Sequence, residues 1–203
     1  MFTIEFVTER DGIEYSKWVA SIHYEKICDN LISLMKGGRE KIDDYGLPFT
    51  ISLVAALESN LNDWLIIDTF TKHGPKNYEN IVNGYMGMSM KNKYRSAVAI
   101  MTDNHFQIIE DSSVIKTLDE LIETRNKFVH AKPRFYSKVS KHTHRPKKQR
   151  AKDHPLQTLK ISDCRRYLKA VKDYDRLFFR QYDQGTIKEN QMIKEIESMI
   201  ENA

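Results

Sequence analysis

Apolar residues recur three and four positions apart along most of this chain, and that spacing is helical. From Tyr15 to about Met35 the stripe runs through Trp18, Val19, Ile22, Ile27, Leu31 and Leu34. Gly37-Gly38 predicts its end. Pro48 suits a first helical turn. The helix it opens reaches about Phe70 along Val54, Leu57, Leu61, Trp64 and Leu65, and His73-Gly74-Pro75 breaks the chain. A third helical region spans about 77–101, with a break near Gly84–Gly87. A fourth begins near Ser113, a suitable N-cap, and carries Ile115, Leu118, Leu121, Ile122, Phe128 and Val129. Pro133 ends it, because the residue before a proline avoids the α region. Ser162 or Asp163 caps a fifth helix bearing Tyr167, Leu168, Val171, Tyr174, Leu177 and Phe178. Gly185 separates it from a last helix over 187–200. The first segment, Phe2 to Gly12, alternates weakly and reads as a short strand or an ordered arm.

These patterns predict an all-α fold, a bundle of about five to six helices. A length of 203 residues fits a single domain with a proper core. Within it the helical core covers about 15–133, a basic loop about 133–157 and C-terminal helices about 158–201. Two cysteines, Cys28 and Cys164, are too few for a disulfide framework or a four-cysteine zinc site, and both read as core thiols. No apolar run approaches the roughly 18 residues of a membrane span. The N-terminal residues reach acidic side chains at once, without a secretory h-region, so the expected compartment is the cytoplasm.

Charge is unevenly placed. The net charge is +4, yet Lys132 to Lys152 holds nine basic residues and no acidic one. They are Lys132, Arg134, Lys138, Lys141, Arg145, Lys147, Lys148, Arg150 and Lys152. Without that stretch the chain carries 23 basic and 28 acidic residues, a net of −5. A mildly acidic body with one concentrated basic segment is an electrostatic footprint for polyanions, RNA among them. The bland reading of the same stretch is a solvated loop.

Two charges fall on apolar stripes. Arg125 continues the stripe of Leu118, Leu121, Ile122 and Val129, and Glu58 lies beside Leu57 and Leu61. An inward charge is costly unless paired. Opposite signs on two packed helices predict a mutual ion pair, with the Asn62 amide one turn away in the same patch. Asn126 and His130 stand four apart and share a helix face. His130 sits in the last turn before Pro133, where the helix dipole favours its charged form. An imidazole that titrates near neutral pH suits acid–base chemistry. More often, such a residue is a helix cap or a surface group.

Residues 118–130, LDELIETRNKFVH, resemble the motif helix of the HEPN superfamily. Those all-α proteins are marked by an Arg, four to six further residues and a His, with a polar residue, often Asn, after the Arg. The segment 55–66, AALESNLNDWLI, resembles the family's earlier helix, where a Glu and an Asn recur. The segment 90–98, MKNKYRSAV, resembles the helix that often precedes the motif helix. The resemblance spans roughly 15–133. The long basic insert after it matches nothing general in the family.

The resemblance implies a HEPN-like bundle and a metal-independent endoribonuclease acting as a homodimer, with the motifs of two subunits facing one cleft. It places such chains in toxin–antitoxin and other defence systems, with an antitoxin or a small nucleotidyltransferase as a further partner. Arg125, Asn126 and His130 then occupy the catalytic positions, and Glu58 and Asn62 support them. A ribose 2′-OH attacks the adjacent phosphorus, leaving a 2′,3′-cyclic phosphate and a 5′-OH. His130 moves a proton, and the forked donors of Arg125 stabilise phosphate oxygens. Other family members are non-catalytic and bind a partner protein or RNA. No metal or cofactor is expected. His142, His144, His154 and Cys164 match no zinc spacing. Gly84 and Gly87 lack the Lys-Ser/Thr of a phosphate loop.

Overall fold

The computed structural model describes residues 5–7, 14–16, 19–129, 158–177 and 185–201. The fold is all-α, as the periodicity predicts. Six helices are present among the described residues: α1 Val19–His73, α2 Tyr78–Met86, α3 Met90–Met101, α4 Ser113–Val129, α5 Ile161–Arg176 and α6 Gln191–Glu201. Four three-residue strands form two antiparallel pairs, β1 Glu5–Val7 with β2 Glu14–Ser16 and β3 Phe106–Ile108 with β4 Ile187–Glu189. The predicted N-terminal strand is therefore one arm of a short pair.

The expected stop at Gly37-Gly38 and new start at Pro48 are both overturned. One helix of 55 residues runs through all three positions. Glycine costs a helix interior about 1 kcal/mol and proline about 3 kcal/mol. Burial outweighs that cost, because a single stripe continues across the breakers. Ile27, Leu34, Ile42 and Phe49 are buried and fall within an arc of about 80° at about 100° per residue, and the buried Leu53, Leu57, Leu61 and Leu65 carry the stripe on. Thr50 adds side-chain bonds to the backbone next to Pro48. Its Oγ1 donates to the carbonyls of Gly46 and Leu47, at 3.0 Å each. Gly46 has a packing reason of its own, since a Cβ there would meet Leu159 Cδ2 at 2.9 Å.

The break near Gly84–Gly87 separates α2 from α3, and Ser89 caps α3 by accepting from the Asn92 N–H at 3.3 Å. At α4 the cap is Ser112 rather than Ser113, for Ser112 Oγ accepts from the Ile115 N–H at 3.3 Å. At α5 Asp163 acts from inside the first turn and accepts from the Lys160 N–H at 3.0 Å. The last expected helix starts late, because Ile187–Glu189 is drawn into the pairing with Phe106–Ile108. Two backbone bonds flank that pair: Ile109 N–H donates to Thr186 O at 2.6 Å, and Asn190 N–H donates to His105 O at 2.8 Å.

α1 is the spine. α2, α3, α4 and α5 all pack on it, and α5 packs also on α4. The core between them contains Leu118, Leu121 and Ile115 of α4 and Tyr167, Val171 and Tyr174 of α5. Tyr174 meets Tyr94 edge-on at 6.2 Å between ring centroids, and its hydroxyl donates to the Tyr94 carbonyl. Burial pushes the Tyr174 phenol well up from its ordinary range. At the far end of α1, Lys72 caps α3. Its ammonium donates to the carbonyls of Ile100 and Met101 at 3.0 and 3.3 Å and pairs with Asp103 at 2.8 Å. No helix among the described residues is long and apolar enough to cross a membrane.

Candidate functional site

The three segments that carry the motifs become α1, α3 and α4. On α4 the buried side consists of Val114, Ile115, Thr117, Leu118, Leu121 and Ile122. Arg125 continues that side but is only half-buried, and Asn126 is exposed. A long aliphatic stem lets a guanidinium on an apolar stripe reach water. Arg125 Nη1 donates to Asn126 Oδ1 at 2.9 Å. His130 lies outside the described residues. So do Lys132, Arg134, Lys138, Lys141, Arg145, Lys147, Lys148 and Arg150 of the basic segment, and the histidines of the rejected zinc reading.

The expected pair of Glu58 with Arg125 is replaced by another. Glu58 Oε1 lies 3.3 Å from the ammonium of Lys93, and Asn62 Oδ1 accepts from the same ammonium at 2.9 Å. Glu58 and Asn62 thus share one polar patch, as their spacing on α1 predicts, but the cation in it comes from α3. Lys93 is 1 % exposed. No carboxylate pairs with Arg125 among the described residues.

Sequence reasoning missed Lys93, though its signal is of the same kind as those of Arg125 and Glu58. On α3 the buried residues are Lys93, Tyr94, Ala97 and Val98, so Lys93 is a charge within an apolar stripe. It also missed a cluster on the next residues of that helix. Asp119 of α4 accepts from the Tyr94 hydroxyl and pairs with Arg95 at 2.7 Å and Lys91 at 3.1 Å. Arg95 bonds also to Glu110 at 2.7 Å. Burial tends to raise the Asp119 carboxyl. The bonds from Tyr94 and Lys91 and the Arg95 charge outweigh it, and the net shift is downward. Burial, with Asp119 beside it, pushes the Tyr94 phenol up. These bonds fix α4 against α3 one helical turn and a half before Arg125.

On the other side of α4, Thr124 shares a hydrogen bond of 3.3 Å with Tyr167, and Glu120 pairs with Arg166 at 2.6 Å. The middle of α4 is therefore held by α3 on one flank, and α5 holds the other flank as far as Thr124. Cys164 is a core thiol, its pKa pushed up to about 12 by burial. Cys28 is not, for it is exposed on α1. Among the described residues no group of His, Cys, Asp and Glu side chains is placed to hold a metal ion. The chain matches no known family model, no curated protein and no solved structure.

Proposed function

We propose that this chain is a metal-independent endoribonuclease of HEPN type, working in a toxin–antitoxin or related defence setting. The observation that carries the reading is the state of Arg125. It is a half-buried guanidinium at the end of a firmly held helix, bonded to Asn126 and paired with no carboxylate among the described residues. Its remaining donors suit a phosphate. His130 follows Asn126 by four residues in the sequence, the spacing that gives two residues one face of a helix.

In this reading a 2′-OH of RNA gives its proton to one imidazole and attacks the neighbouring phosphorus. The bond from phosphorus to the 5′-oxygen breaks, and that oxygen takes a proton from a second acid, the His130 of a second subunit. Arg125 holds the phosphate oxygens as charge builds on them. Asn126 holds the guanidinium. DNA is refused for lack of the 2′-OH. The nine cations of 132–152 supply salt-dependent attraction for the RNA backbone.

The test is RNA cleavage in EDTA by the wild type, His130→Ala and Arg125→Ala. The expected result is cleavage by the wild type, with 2′,3′-cyclic phosphate ends, and a loss of about 10²–10⁴-fold in each variant. Equal cleavage by all three, or none by the wild type on varied RNAs, overturns it.

A second reading has one observation in its favour. Glu58 and Asn62 are engaged by Lys93, so they do not orient Arg125. That suits a non-catalytic HEPN module that binds RNA or a partner protein. Salt-dependent RNA binding without cleavage distinguishes it.

A further inference from the structure

The first half of α1 is apolar over a wider arc than the core covers. Ile27 and Leu34 are buried and Leu31 is half-buried, forming the inward side. Beside them Cys28 is exposed, and Ile32 and Met35 are each 49 % exposed. At about 100° per residue these three fall within an arc of about 60°. Their spacing, four and then three, is that of one seam of a two-helix coiled coil. Single exposed apolar residues are ordinary on a surface, but an aligned stripe marks an interface.

The charges beside the stripe identify the partner. Asp29 and Lys36 are both exposed, lie seven residues apart and border the stripe on the same edge. Neither forms an ion pair with another described residue. When two copies of a helix pair antiparallel about a two-fold axis, equivalent edges face each other. With the axis passing between Ile32 and Ser33, Asp29 comes level with Lys36 of the partner subunit. By symmetry Lys36 then comes level with the partner subunit's Asp29. The same register lays Ile32 against the partner's Ile32 across the axis. In a parallel pair this edge would face the opposite edge of the partner, where Tyr24 and Leu31 stand, and neither Asp29 nor Lys36 would meet an opposite charge.

We propose that this face of α1 is a self-complementary interface, on which a second copy of the chain docks antiparallel through Cys28, Ile32 and Met35. The contact is closed by two symmetric Asp29–Lys36 pairs. It does not depend on the ribonuclease reading, and its test contains no RNA.

The experiment measures the mass of the purified full chain by light scattering at micromolar concentration. A dimer is expected. Asp29→Lys sets like charges against each other twice and weakens that dimer roughly tenfold. Asp29→Lys with Lys36→Asp restores it. Disulfide trapping reports the direction. In the antiparallel register the two Cys28 residues stand about 14 Å apart along the helices, at about 1.5 Å per residue, beyond disulfide reach. Oxidation therefore leaves the wild type uncrosslinked, while Ile32→Cys in a Cys28→Ser background links two chains. All these substitutions are at exposed positions, and unchanged far-UV circular dichroism confirms folding. A monomeric wild type overturns the proposal, as does a dimer indifferent to Asp29→Lys. Crosslinking through Cys28 also overturns it, because it reports parallel packing.

Discussion

Lys93 and Glu58 meet at 3.3 Å with very unequal burial, the lysine side chain being 1 % exposed and the glutamate 38 %. The two halves of the pair are therefore not equivalent. Without Lys93, the glutamate can turn to water. Without Glu58, an ammonium stays in the interior with the Asn62 amide oxygen beside it. Breaking a buried pair costs most when it strands the buried charge.

Glu58→Ala is thus expected to destabilise the protein by about 2 kcal/mol, discounted from a fully buried pair because Glu58 is part-exposed. Lys93→Met, which keeps volume and removes the charge, is expected to cost about 1 kcal/mol or less. Urea unfolding of both variants and the double mutant checks the order. A larger loss for Lys93→Met would mean that packing, not charge, governs the patch.

Asp119 makes stability depend on pH. Its carboxyl titrates below the ordinary 3.8, because the bonds from Tyr94 and Lys91 and the Arg95 charge overcome the effect of burial. A depressed folded pKa stabilises above the unfolded value, and that stabilisation is lost as pH falls through and below 3.8. Asp119→Asn is expected to lower stability by about 1–2 kcal/mol at pH 7. The gap between variant and wild type should shrink below the aspartate range. Thermal melts across that range check it; a gap constant with pH would assign the loss to geometry alone.

Pro48 is exposed within α1 and removes the N–H that would serve the Asp44 carbonyl. The Thr50 hydroxyl donates to the Gly46 and Leu47 carbonyls and does not serve that of Asp44. Pro48→Ala restores the missing donor without touching the core. It is expected to stabilise the protein by about 1–2 kcal/mol, the helix gain being partly offset by a more flexible unfolded chain. A drop in melting temperature would show that the surrounding packing requires the proline's geometry.

The α-helical class was legible in the sequence because the stripes of α1, α4 and α5 carry helical spacing over many turns. The continuity of α1 was not, because Gly37, Gly38 and Pro48 are local signals against a helix, and the burial that overrides them comes from distant segments such as Leu159. β4 was hidden for a similar reason, since Ile187–Glu189 extends only because Phe106–Ile108 lies beside it. At the candidate site, the polar patch of Glu58 and Asn62 could be read from one helix. Its cation could not. Arg125 and Lys93 both interrupt apolar stripes, and only packing decides which of them meets Glu58.

That outcome bears directly on Arg125. A guanidinium serving as a structural counter-ion would be missed by the fold when removed, and several kcal/mol would go with it. Arg125 is bonded to its neighbour Asn126, is half-buried and has no carboxylate partner among the described residues. Its removal should therefore leave the fold nearly intact. Arg125→Ala is expected to change unfolding free energy by about 0.5 kcal/mol or less. Arg125→Lys should change it no more. A lysine keeps the charge but loses the planar fork that grips two phosphate oxygens at once. RNA cleavage by Arg125→Lys should accordingly fall by about 10²-fold or more, close to the alanine variant. Denaturation and cleavage measured on the same preparations separate the roles. A large stability loss would make Arg125 part of the scaffold, and full activity in Arg125→Lys would reduce it to a point charge.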